Sequence, residues 1–280
     1  MNWTPFFGAW QLRGRYPKIL EYRNIGHQAR ALFADANALL DQIIDENLLG
    51  ARALVGLFAA NARDEDVELY TDSSRAHVAT VFHFLRQQQE RRGGEPNFSL
   101  ADYIAPADSG VADYIGAFAV TAGIGAIELA QKYERDHDEY NSIMVRALAD
   151  RLTEALAEQL HQKVRTELWG YARDEQFTPE QLIKERYTGI RPAAGYPSCP
   201  DHTEKQSLFD LLEVEKRTGI ALTENFAMTP AASVSGYYFA HPQSRYFRLG
   251  AVDSDQVEDY ARRKGMTTAE VERWLAQEHA

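Results

Sequence analysis

The sequence predicts an α+β fold, with helices and antiparallel strands segregated along the chain and not strictly alternating. Three observations predict it. Apolar residues recur at helical spacing over 27–49 and over 126–168. Short apolar or alternating runs come in neighbouring pairs, at 54–60 with 67–70 and at 233–240 with 245–249. Capping patterns and glycine stops mark the remaining segments as short helices.

The elements follow in order. Residues 1–20 hold Trp3, Phe6, Phe7, Trp10 and Tyr16, interrupted by Pro5, Gly8, Gly14 and Pro17. Such a segment cannot stay regular for long, yet its rings need burial, so an ordered arm lying on the body is expected. Leu32, Phe33, Ala36, Leu39, Leu40, Ile43 and Ile44 define one amphipathic helix over His27–Leu49, ended by Gly50. A strand pair joined near Asn61–Asp66 comes next. His77–Leu85 reads as strand or short helix, and Arg91–Pro96, with Gly93 and Gly94, as a surface loop.

Tyr114–Val120 is a buried strand. The Gly123-Ile-Gly125 that follows lacks the third glycine and acidic partner of a phosphate-binding turn, so a strand-to-helix turn is the better reading. Residues 126–168 are helical in two pieces divided near Asp136–Asp138. The second is the central helix, with a stripe from Ile143 through Met144, Ala147, Leu148, Leu152, Ala155, Leu156, Leu160 and Val164 to Leu168. Glu154 and Glu158 lie off that stripe, and Gly170 stops the helix.

Thr178-Pro-Glu-Gln181 is a capping box opening a helix to about Tyr187. Thr203-Glu-Lys-Gln206 is a second, opening a helix that Gly219 closes. Strands at Ser233–Ala240 and Arg245–Leu249 flank a turn at His241–Ser244. Asp253 and Asp255 begin a helix ended by Gly265, and Thr267–Glu270 caps the last one.

Composition narrows the function. With 280 residues and 45% hydrophobic content the chain can build a sizeable core, as one large domain or two small ones. Acidic side chains outnumber basic ones by 41 to 30, a net charge of -11, which argues against a duplex nucleic-acid binder. No run approaches the ~20 apolar residues of a membrane span, and the first residues lack a signal-peptide pattern. The single cysteine, Cys199, excludes an internal disulfide framework and fits a reducing, cytoplasmic compartment.

Side chains for self-contained catalysis are sparse. The eight histidines (27, 77, 83, 137, 161, 202, 241 and 279) form no metal-binding pair at helical spacing. Cys199-Pro-Asp-His202 could be half a metal site or a thiol beside an imidazole, but no second half exists. A loop thiol is at least as good a reading.

The most informative stretch is 190–205. Pro192, Pro197 and Pro200 with Gly195 make it a stiff irregular loop, bracketed by Arg191 and a helix start near Thr203. Stiff loops on a scaffold suit ligand contacts, because little entropy is lost on binding. A plain connector is the other reading.

Arg191-Pro-Ala-Ala-Gly-Tyr-Pro-Ser-Cys-Pro-Asp-His-Thr-Glu-Lys205 resembles the signature of the activation (reactivation) domain of cobalamin-dependent methionine synthase. Further words agree in order: Trp3–Phe7, Ala112–Val120, Ala147–Leu152, Val164–Tyr171, Leu212–Lys216, Ser233–Gly236 and Asp255–Gly265. The resemblance covers essentially the whole chain.

It implies a single C-shaped α+β domain over 1–280, built around a twisted antiparallel sheet and binding S-adenosylmethionine. It also implies that a partner module holds the cobalamin and a flavodoxin-type donor supplies an electron. S-adenosylmethionine then supplies the methyl group that restores methylcobalamin from the oxidised Co(II) state. The site implied for this chain is Asn2, Glu154, Arg191, Ala193, Gly195, Tyr196, Tyr246 and Phe247.

Ligand chemistry fits these residues independently. A carboxylate calls for a planar two-pronged cation such as Arg191. Adenine is commonly read by backbone groups, reachable at Ala193, Gly195 and Tyr196. Tyr246 and Phe247 read as neighbours in a strand, one of which should face the core. Glu154 alone would be a solvated helix acid.

One departure is Asn2, where the family carries aspartate beside the ligand's ammonium; the amide brings no charge. It is the only support for the alternative, an S-adenosylmethionine-binding or regulatory protein on the same scaffold without reactivation activity. No histidine has the Asp-x-His-x-x-Gly context of a cobalamin lower ligand, and one cysteine cannot make a zinc site for homocysteine. This chain is therefore expected to need partner modules for a full methyl-transfer cycle.

Overall fold

A computed structural model of the chain describes residues 1–89, 92–94 and 96–275. His279, and Arg91 and Glu95 of the expected loop, lie outside the described residues; Arg92–Gly94 form a short 3-10 turn.

The N-terminal arm packs on the body, as its aromatic content requires. α1 (Thr4–Ala9) has proline in its first turn and buries Phe6 and Phe7, while Ile19 enters from a 3-10 turn at Lys18–Glu21. Not every ring is covered: Trp10 is half-buried and Tyr16 exposed. α2 (Gly26–Asp45) buries Ala29, Leu32, Ala36, Leu39 and Ile43, the three-and-four spacing of one face. It ends sooner than expected. Asn47 takes a left-handed φ of 52°, and Gly50 starts a strand instead of capping a helix.

β1 (Gly50–Arg63) turns through Asp64 into β2 (Asp66–Tyr70), pairing Ala60 with Leu69 and Arg63 with Asp66. β3 (Val78–His83) adds to β2 with Val67 opposite Phe82, which settles that segment as strand. β4 (Asp113–Ile124) runs antiparallel to β1 over most of its length. Gly125, at φ 87°, then redirects the chain into α3 (Ala126–Arg135); a methyl there would lie 2.9 Å from the Leu48 carbonyl oxygen. The Gly-x-Gly is thus a strand-to-helix turn.

α4 (Glu139–Lys163) is the central helix, capped by the Asp138 carboxylate on the Asn141 N–H. Its buried face is rotated from the expected stripe. Met144, Val145, Leu148, Ala149, Thr153, Ala157 and His161 face inward, while Ile143 and, beyond the helix, Leu168 are exposed. A stripe of large apolar residues leaves the polar ones outward, yet Thr153 donates to the Ala149 and Ala232 carbonyl oxygens and so is satisfied inside. A π-turn at Val164–Leu168 ends the helix before Gly170.

α5 (Pro179–Ile183) has the expected capping box but stops short of Tyr187. α6 (Glu204–Leu212) and α7 (Val214–Thr218) replace one expected helix, broken where Glu213 adopts a left-handed φ of 52°. Thr203 does not cap α6 through a box, because its hydroxyl and N–H both bond to Asp201. β5 (Ala221–Leu222) and β6 (Met228–Thr229) form a small ribbon ahead of β7 (Ser233–Tyr238). α8 (Ser254–Lys264) and α9 (Thr268–Leu275) close the chain, α9 behind the expected Thr267–Glu270 box.

Among the described residues the main sheet has the order β3-β2-β1-β4-β7, every neighbour antiparallel. Alternation along β4 and β7 divides the core. Ile115, Ala117, Ala119, Tyr237 and Phe239 face the α6–α7 side; Phe118, Val120 and Tyr238 face α4. The fold class is α+β.

Arg245–Leu249 is not a strand. The free edge of β7 is already taken by Ile190–Pro192: Ile190 and Phe239 exchange backbone bonds at 3.0 and 3.1 Å, and Tyr237 donates to Pro192 at 2.9 Å. The 245–249 segment crosses the 190–205 loop instead.

Candidate functional site

That edge pairing positions the loop. Gly236 lets it come close, since a methyl there would lie 2.5 Å from the Pro192 carbonyl oxygen. Beyond Pro192 the chain turns on itself: Tyr196 N–H donates to Ala193, Cys199 N–H to Tyr196, and Gly195 N–H to Cys199, at 2.8–3.2 Å. Leu249 N–H donates to the Pro197 carbonyl oxygen at 2.7 Å, which draws residues 246–248 across the loop.

Between these segments and α4 lies a cavity of about 550 Å³. Glu154, Arg191, Ala193, Tyr196, Tyr246 and Phe247 all line it, so six of the eight nominated residues meet in one place. Gly195 and Asn2 are not on its wall. Gly195 sits behind the turn at φ 90°, a conformation that suits glycine. Asn2 accepts the Thr4 N–H through Oδ1 at 3.1 Å. Tyr246 and Phe247 both reach the cavity because the segment is irregular, and Tyr246 accepts the Arg191 backbone N–H at 3.0 Å.

Arg191 is not a lone cation. Its Nη1 lies 2.6 Å from Glu158 Oε2 and donates to Tyr187 Oη at 3.1 Å. Burial opposes its charge, but Glu158 and Tyr187 outweigh that and hold its pKa above the ordinary value. Tyr187 is fixed in turn by Arg165, whose guanidinium lies 3.8 Å from the ring centroid and grips Glu175 through two bonds of 2.7 Å. The result is a pre-aimed guanidinium, with Nε and Nη2 unpaired among the described residues.

Sequence reasoning passed over two acids. Glu158 stands one turn from Glu154 on α4, and that spacing was available as a signal that both share a face. Glu185, which also lines the cavity, offered none: it follows α5 at a left-handed φ of 51°. Pro192, Val234 and Phe247 supply apolar wall. The combination suits a ligand carrying a carboxylate, positive charge and a flat apolar ring.

Cys199 is buried. Its side chain belongs to the core with Leu208 and Tyr237, and burial pushes the thiol pKa well above the ordinary value. Among the described residues no group of three or more His, Cys, Asp or Glu could hold a metal ion. Asp201 and Glu204 instead meet Lys264 of α8 at 2.5 and 2.7 Å, a closed ion cluster that pins the end of the loop.

A family model for the vitamin B12-dependent methionine synthase activation domain matches residues 1–265. The crystal structure of the MetH reactivation domain bound to AdoHcy aligns with a TM-score of 0.97 at 57% sequence identity, covering 99% of this chain and 85% of that one. No helix among the described residues is long and apolar enough to cross a membrane.

Proposed function

This chain belongs to the vitamin B12-dependent methionine synthase activation-domain family, and from that membership we propose that it binds S-adenosylmethionine in the Arg191 cavity and supports reductive methylation of cob(II)alamin. Membership makes it a domain of a methyltransferase of methionine biosynthesis. The observation that carries the reading is the convergence of one pre-aimed guanidinium and two carboxylates, Glu154 and Glu185, on a partly apolar cavity. S-adenosylhomocysteine in the relative is the demethylated form of the proposed ligand.

Arg191 clamps the ligand carboxylate through its unpaired nitrogens. Glu154 and Glu185 balance the ammonium and sulfonium charges. Backbone groups around Ala193, Gly195 and Tyr196 read the adenine, with Tyr246 and Phe247 closing over it. Asn2 completes the site from the N-terminal arm.

Cobalamin, held by a partner module, supplies the cobalt that accepts the methyl group. One electron from a flavodoxin-type donor would reduce that Co(II) centre, and S-adenosylmethionine would pass its methyl group to it and leave as S-adenosylhomocysteine. Arg13, Arg15, Lys18, Arg23 and Arg30 are exposed, with Glu21 the only acid along residues 1–30, a basic stretch suited to an acidic electron carrier. A buried, protonated cysteine suits the cytoplasm.

Mixing this chain with a cobalamin-binding module, the reduced donor and S-adenosylmethionine should produce the methylcobalamin absorption spectrum. No conversion, with the module alone competent for methyl transfer, would contradict the reading.

A further inference from the structure

The turn that carries Ala193 and Tyr196 to the cavity rests on a side chain outside the cavity wall. A methyl at Gly195 would lie 2.7 Å from both ring nitrogens of His202, so the imidazole presses directly on that peptide. Lys205 Nζ lies 2.6 Å from His202 Nδ1 and also donates to the Phe226 carbonyl oxygen at 2.9 Å. An ammonium has donors only, so Nδ1 must be the unprotonated acceptor. The hydrogen bond therefore selects the neutral ring with its proton on Nε2.

We propose that His202 is a positioning residue for the Gly195–Tyr196 turn, held in one tautomer by Lys205, and that protonating it releases the turn and weakens ligand binding. A second proton would place an imidazolium against an ammonium and abolish the bond that fixes the ring. The charged groups facing the ring are Lys205 from α6 and Asp201 from the preceding loop. Asp201 offers the imidazolium little relief, because it is already bound to Lys264, Thr203 and Tyr260. Burial, then Lys205, hold the His202 pKa below its ordinary 6.5, with Asp201 opposing. Burial likewise lowers Lys205 to about 8.

The pH dependence follows from that direction. Between 6.5 and about 8, where burial has lowered the Lys205 pKa, the ring is neutral, Lys205 is an ammonium, and the turn is held. As pH falls through the lowered folded value, the support is lost.

This inference rests on the proposed ligand site, so the probe is S-adenosylhomocysteine. Its affinity is measured by calorimetry from about pH 5 to pH 8, with His202 titration followed by NMR. Wild-type affinity should drop at the acid end. In Lys205→Met the drop should move to higher pH, together with the His202 titration. His202→Asn, which keeps an acceptor but cannot ionise, should keep most of the affinity and lose this acid limb; His202→Ala should bind about tenfold more weakly at every pH. Identical pH profiles for wild type and Lys205→Met would overturn the proposal, as would an acid limb unchanged in His202→Asn, which points to Glu185, whose pKa burial raises. If wild type binds no S-adenosylhomocysteine, the functional reading fails. The positioning role is then decided on the free protein, where the Tyr196 amide resonance must follow the His202 titration.

Discussion

Two buried ion clusters stand ten residues apart on the same loop, and they are built to opposite ends. Lys264 donates to Asp201 and to the Thr203 hydroxyl, both at 2.5 Å, pairs with Glu204 at 2.7 Å, and is largely covered from water. Arg191 gives one nitrogen to Glu158 and Tyr187, leaves the rest of its fork unpaired among the described residues, and lines a cavity. A saturated cation fixes structure; a half-used one is available to a ligand. Burial alone does not separate them, since both are largely covered, but donor accounting does.

The sharpest way to break this contrast is Lys264→Met. It leaves Asp201 and Glu204 buried without their cation and should cost about 3–5 kcal/mol of stability, read from the denaturant midpoint. Arg191→Ala should reverse the pattern, costing roughly 2–4 kcal/mol of S-adenosylmethionine affinity with a smaller loss of stability. Arg191→Lys should recover only part, because an ammonium lacks the fork. A ligand affinity untouched by Arg191→Ala but abolished by Lys264→Met would invert the assignment of the two clusters.

Titration sharpens the contrast further. Burial opposes the Lys264 charge, but Glu204 and Asp201 outweigh it and raise its pKa above 10.5. A raised lysine contributes stability that is present below its unfolded value and lost as pH rises through the folded one. Wild-type stability should therefore fall on the alkaline side above 10.5, and that component should be missing in Lys264→Met. Asp201 works on the other flank: burial opposes ionisation, yet Lys264 holds its pKa below 3.8, so its contribution is lost as pH falls through that depressed value. Glu204 runs counter to it, because burial raises its pKa and charging it costs stability above 4.5.

Smaller effects are expected at the two residues whose roles the sequence left open. Cys199 should resist alkylation at about pH 8 until the protein unfolds, its thiol being buried and protonated. Rapid labelling of the native protein would mean the loop opens. Asn2→Asp should tighten S-adenosylmethionine binding by only about 0.5–1.5 kcal/mol, less at high salt. Equal gains for an analogue lacking the amino group would remove Asn2 from the site.

Much of this was legible in the sequence where one local signal decided the outcome. The proline-rich loop, the Thr178 and Thr267 boxes and the β1–β2 hairpin all follow from short-range chemistry, and all are present. The failures share a cause. Arg245–Leu249 alternates like a strand, but which segment occupies the edge of β7 depends on Ile190, more than fifty residues away. The apolar pattern misplaces the buried face of α4 because Thr153 and His161 count as polar, whereas the fold shelters both. At the site, Arg191 and its loop were readable from residue chemistry. Glu158 and Tyr187, which aim the guanidinium, became visible only once α4 and the loop were side by side.

The central claim is that Arg191 is the ligand-facing cation and Lys264 the structural one. Calorimetric titration with S-adenosylmethionine of the wild type and Arg191→Ala, at one pH and salt concentration, tests it most directly. One ligand should bind per chain, with an affinity roughly 30-fold or more lower in the variant, matching a loss of about 2 kcal/mol. Equal dissociation constants for the two proteins would contradict it.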